Sequence, residues 1–78
     1  MKLSDAIKKR IKYYLKNKNM KVWDLCKYSG ILCSTISTFM SGKTELIKID
    51  TLLHISNGFN IILRKFFSDS IFDVSEQD

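Results

Sequence analysis

Apolar residues near the start of the chain recur at a helical interval. In "DAIKKRIKYYLK", Ile7, Ile11, Tyr14 and Leu15 fall at i, i+4, i+7 and i+8, which lays one apolar stripe along an α-helix. Lys8, Lys9, Lys12 and Lys16 occupy the far side and read as a solvated basic face. Ser4 is expected to N-cap this helix, with Asp5 in the first turn, where a carboxylate suits the positive end of the helix dipole. The run "NKN" at 17–19 is expected to end it, since Asn prefers turns and caps to helix interiors.

A second helix is predicted over about 22–29, with Leu25, Cys26 and Ser29 inward and a stop at Gly30, the residue type best suited to the left-handed conformation after a helix. Ile36 and Phe39, at i and i+3, mark a third helix only two or three residues later. Helices joined by so tight a turn must cross steeply rather than lie antiparallel. After the loop "KTELIK", Ile49, Leu52, Leu53 and Ile55 give a fourth helical pattern, broken at Asn57-Gly58 or at Asn60. "IILRKFF" gives a last short helix ending near Phe67. The tail "SDSIFDVSEQD" carries four acids and no base, and its Ile71, Phe72 and Val74 are placed to pack back. With no Pro and three Gly, the pattern predicts an all-α bundle of about five short helices: one domain over 1–67 and an acidic tail over 68–78.

Composition narrows the function. A 78-residue chain buries only about 60% of its unfolded surface, so most of its apolar residues are needed for packing and little remains for a deep catalytic pocket. One His and no clustered carboxylates leave nothing to perform acid-base chemistry, and no enzyme activity or cofactor is expected. Residues 1–48 hold eleven Lys/Arg against Asp5, Asp24 and Glu45, a net of +8, whereas residues 49–78 hold two against five acids, a net of −3. A basic front and an acidic back point to an anionic partner. Two cysteines seven apart with a single His do not make a zinc site, and free thiols in the cytoplasm are the expectation. No apolar run approaches the roughly 18 residues a membrane span needs.

Between Ser29 and Gly42 there is no charged side chain, in a chain with 27% charged residues. This stretch contains the most specific motif. Met20, Leu25, Cys26, Gly30, Ile31, "STIS" at 34–37, Phe39 and Gly42 follow the order of small, apolar and turn residues of a helix-turn-helix, and they resemble the Cro/repressor (XRE-like) transcriptional regulators. "RIKYYL" is similar to the family's first helix and "IDTLLHISNGFNIILRKFF" to its fourth and fifth, so the likeness spans about 5–67. The resemblance implies a five-helix lambda-repressor-like DNA-binding domain with the helix-turn-helix at helices 2 and 3. It also implies a homodimer on a palindromic operator, with a cytoplasmic, nucleoid-associated location in a bacterium or phage.

In such domains the third helix enters the DNA major groove. The resemblance carries base-facing roles onto Cys33, Ser34, Ser37 and Thr38, with Ile36 and Phe39 in the core. It carries phosphate contacts onto Lys21, Thr35, Ser41, Lys43 and Lys48. Leu63, Phe66, Phe67, Ile71 and Phe72 are the candidate dimer surface. The chain departs from its relatives in having short side chains at Val22, Cys33 and Thr38, where Gln or Arg is common, which points to modest direct base readout and more reading of DNA shape. Leu32 stands where a Ser or Thr cap is usual. Relatives also pair an Arg late in helix one with a Glu near the end of helix three; here both are apolar, Leu15 and Met40, a swap a buried pair tolerates better than loss of one end. Cys33, at an exposed helix start, is a place for redox control, and His54 reads as surface. A fold that keeps this shape while its third helix binds protein, as in an antitoxin-like module, is the alternative.

Overall fold

The structure, a computed structural model, describes residues 2–72. They form α1 (Leu3–Asn17), α2 (Val22–Ser29), α3 (Cys33–Met40), α4 (Ile49–Gly58) and α5 (Leu63–Phe66), followed by a single 3-10 turn at Ser70–Phe72. No strand occurs among the described residues.

The stripe on α1 is buried through Ile7, Ile11 and Tyr14, with Leu15 half-buried beside them. The cap differs from expectation. Lys2 is the N-cap residue, its carbonyl accepting the first helical bond from Ala6 N–H at 3.0 Å, and Ser4 lies inside the first turn. Its side chain is turned into the protein and its hydroxyl has no hydrogen-bond partner. The basic face also divides: Lys9, Lys12 and Lys16 are exposed, whereas Lys8 is half-buried with its ammonium 5.3 Å from the Phe39 ring centroid. Lys8 therefore helps pack α1 against α3.

α2 buries Leu25, Cys26 and Ser29, and Gly30 closes it at φ +73° with its N–H on the Cys26 carbonyl at 3.0 Å. α3 buries Ile36 and Phe39 on the same core. α4 turns Leu52, Ile55 and Ser56 inward, while Ile49 and Leu53, which share its apolar period, stay exposed. The Asn57-Gly58 pair does not break α4. The chain turns at Asn60, at φ +59°, a conformation Asn tolerates better than most residues. Gly58 allows α2 and α4 to approach closely: a Cβ there would stand 3.0 Å from the Ser29 Cβ and 3.1 Å from a Leu25 methyl.

Tyr14 stacks between Phe59 and Phe66, at centroid separations of 5.4 and 6.3 Å. Phe66 is 0% exposed. It closes the core and has no surface to offer a partner, which removes it from the expected dimer set. Leu63, Phe67, Ile71 and Phe72 are half-buried. The 3-10 turn lies against α1, and Phe72 packs edge-on to Phe67 at 4.9 Å. Val74 lies outside the described residues.

The buried arginine of this fold is Arg10, on the apolar stripe between Ile7 and Tyr14. Its guanidinium caps the end of α5 rather than reaching α3, donating to the Phe66 carbonyl at 2.7 Å and the Lys65 carbonyl at 3.0 Å. Leu15 and Met40 are both half-buried against the core, as apolar replacements require.

Candidate nucleic-acid interface

The uncharged stretch divides by helical angle. At about 100° per residue, Ile36, Phe39 and Met40 share the side of α3 that meets the core, while Ser34, Ser37 and Thr38 stand opposite. All three are exposed. Cys33 is exposed as well, but at the edge of this ridge that leans toward α2. Thr35 lies at the other edge.

Ser34 and Thr38, one turn apart, line a cleft of about 570 Å³ together with Thr35, Thr44, Lys48 and Thr51. α3 supplies the first wall and the loop into α4 the second, so a ridge of hydroxyls is backed by Lys48. Cys33 belongs instead to a smaller cleft of about 280 Å³ shared with Trp23, Cys26 and Lys27. The four expected base-facing residues are thus split, with Ser34, Ser37 and Thr38 forward and Cys33 on the flank.

Of the expected phosphate contacts, Thr35 and Lys48 line the hydroxyl cleft. Lys21 is exposed just before α2, its own N–H held by the Asp24 carboxylate at 3.0 Å, which satisfies one of the first unpaired amides of α2. Lys43 and Lys48 are exposed in the loop after α3. The Ser41 hydroxyl donates to the Thr38 carbonyl at 3.0 Å, so its proton is committed and it offers a phosphate only an acceptor. α3 itself has no side-chain cap: Leu32 is 73% exposed at the N-cap position, and its carbonyl accepts from the Thr35 and Ile36 N–H groups at 3.0 and 3.3 Å.

Periodicity along the chain gives no sign of two residues that line the cleft. Thr44 and Thr51 enter the hydroxyl cleft from the loop and from α4, and no spacing rule connects them to α3. Lys8 reaches the Gly42 turn from α1: a Cβ on Gly42 would lie 3.9 Å from its ammonium. Glu45 is paired with Lys2 at 2.9 Å, and this contact holds the Glu45 carboxyl below its ordinary range. Trp23 and Tyr28 are exposed on α2, with the Lys27 ammonium 5.9 and 6.0 Å from their rings. His54 is exposed on α4.

Two short helices joined by a left-handed Gly turn, with a buried seam and an exposed uncharged second helix, define a helix-turn-helix domain. The chain belongs to the Cro/C1-type HTH DNA-binding domain family, whose profile matches residues 10–63. That match covers α2, α3 and α4 and begins at Arg10. No curated protein is significantly similar to the chain in sequence. No helix among the described residues is long and apolar enough to cross a membrane.

Proposed function

We propose that this DNA-binding domain is a sequence-specific, repressor-like transcriptional regulator that lays α3 in the major groove of a double-stranded operator. The observation that carries this reading is the exposed hydroxyl ridge of Ser34, Ser37 and Thr38, backed by Lys48. Short hydroxyls donate or accept at base edges and the Thr methyl meets the thymine methyl. Cys33 joins the base-facing set from the flank, while Lys21, Lys43, Lys48 and Thr35 position the domain on phosphates without reading sequence. With no long side chain on α3, affinity comes largely from lysines, and shape contributes to specificity.

The protein acts as a homodimer through Leu63, Phe67, Ile71 and Phe72, placing two copies of α3 about one helical turn apart on a palindromic site. Blocking polymerase access is the simplest consequence of such occupancy. A cytoplasmic, nucleoid-associated location in a bacterium or phage follows from the same reading.

Selection of bound duplexes from a random pool tests this, followed by anisotropy titration of a selected site at increasing salt. About four to six neutralised phosphates per monomer predict a log–log slope of about −0.9 for each. A flat titration at low salt refutes the reading. Exposed Leu32 and Leu46, at 73% and 85% exposure beside α3, favour one alternative, a protein-binding module of the same fold, which would give no duplex retention at any ionic strength.

A further inference from the structure

On the flank of α3, away from the hydroxyl ridge, two thiols share one cleft. Cys26 is buried on α2 and Cys33 is exposed as the first residue of α3. Both line the space of about 280 Å³ that also holds Trp23, Lys27, Ile31 and Leu32. The turn at Gly30 joins the two helices, so that a residue inside α2 and the first residue of α3 line the same small cleft. Burial first, and then the Cys33 sulfur beside it, push the Cys26 thiol up to about 11. Cys26 is thus held protonated and out of reach of solvent oxidants, whereas Cys33 meets them directly.

We propose that Cys26 and Cys33 are a dithiol that a hydroperoxide converts to an intramolecular disulfide, tying the first turn of α3 to α2. The Cys33 thiolate attacks one oxygen of hydrogen peroxide, the O–O bond breaks, and hydroxide leaves and is protonated to water. The Cys33 sulfenic acid is then attacked at sulfur by Cys26. The S–S bond forms, the S–O bond breaks, and the Cys26 proton leaves with the departing hydroxide as water. Two thiols lose two electrons in all, and one peroxide is reduced to two waters.

The bridge changes the position of one side chain. A disulfide holds its sulfurs about 2.05 Å apart, and Cys26 is buried, so Cys33 must turn fully into the cleft and away from any groove α3 occupies. A consequence for DNA affinity rests on the proposed function; the bridge itself does not.

The test treats the full chain with hydrogen peroxide, quenches with catalase, and reads intact mass and alkylation. The expected result is a loss of about 2 Da, disappearance of both alkylation sites, and recovery with dithiothreitol. Cys33→Ser, at an exposed position, and Cys26→Ala should each abolish the mass loss. Persistence of both free thiols, accumulation of Cys33 as sulfinic acid, or a disulfide only between two chains would overturn the proposal. Parallel titration on a selected duplex separates the two readings: bridging without duplex binding in either redox state sinks the regulator reading alone, and duplex binding without bridging sinks the dithiol alone.

Discussion

Arg10 Nε donates a 2.7 Å hydrogen bond to the carbonyl of Phe66, joining α1 to the end of α5 across 56 residues of sequence. The same guanidinium donates to the Lys65 carbonyl at 3.0 Å, the Ser68 hydroxyl at 3.3 Å, the Tyr14 hydroxyl at 3.1 Å and the Asp69 carboxylate at 3.2 Å. α5 is four residues long, too short to satisfy its own last carbonyls. Arg10 supplies the donor for the Phe66 carbonyl and joins the Ser68 N–H and hydroxyl on the Lys65 carbonyl, next to Phe67 in the chain.

Arg10→Met should therefore lower unfolding free energy by roughly 2–4 kcal/mol, because the buried Phe66 carbonyl loses its charged donor and the Tyr14 hydroxyl a partner. Asp69→Ala should cost about 1 kcal/mol or less, since that carboxylate is one-third exposed and the ion pair is partly screened. Urea melts of the two variants read the difference. Equal losses would place the effect in the ion pair rather than in the carbonyl caps.

Gly58→Ala sets helix propensity against packing. An Ala within α4 gains roughly 1 kcal/mol by propensity, but its Cβ would stand 3.0 Å from Ser29 Cβ and 3.1 Å from Ser29 N. Overpacking against backbone typically costs about 1–3 kcal/mol, so the net change is expected to be destabilising. Gly30→Ala meets open space and suffers only from its φ of +73°, about 1 kcal/mol. A thermal melt showing Gly58→Ala more stable than the parent would mean that α2 and α4 are farther apart.

On α3, Ser34→Ala and Thr38→Ala should shift sequence preference among selected duplexes, each by about 1 kcal/mol at one base position. Lys43→Ala and Lys48→Ala should weaken all duplexes alike and reduce the salt slope by about 1 each. Four uniform, sequence-blind losses would contradict the division between hydroxyl ridge and lysine flank.

Alkaline pH gives a further expectation. The Cys26 thiol is raised from 9.0 to about 11, first by burial, so folding favours its protonated form. The stability this contributes is complete below pH 9 and declines as pH rises toward 11, at no more than about 1.4 kcal/mol per pH unit. Urea midpoints taken across that range should fall more steeply in the parent than in Cys26→Ala. Parallel profiles would show that Cys26 is not the group titrating.

The elements most legible in the sequence were those whose apolar spacing and stop residues agree. The limits expected for α2, and the inward residues of α2 and α3, match the fold because Gly30 and the Ile36–Phe39 pair admit one helical register. Ser4 misled because a cap residue and a buried first-turn Ser look alike until the next element covers them. The family resemblance carried one role onto Cys33 and Ser34 alike, whereas the helical angle turns Cys33 toward α2. Arg10 did leave a signal, a charge between Ile7 and Tyr14 on an apolar stripe, and such a residue demands buried acceptors. Nothing along the chain said where those acceptors would be.

The sequence by itself determined the helical segments, the sharp turn between α2 and α3 and the uncharged face of α3, because periodicity, glycine and charge act over a few residues. Only the tertiary structure decided that Arg10 caps α5, that Phe66 is buried in the core, that Thr51 joins Ser34 and Thr38 at one cleft, and that Cys26 and Cys33 line another. Those pairings depend on how the helices cross, and the crossing is set by side-chain volumes meeting across the core, as at Gly58, rather than by any repeat along the chain.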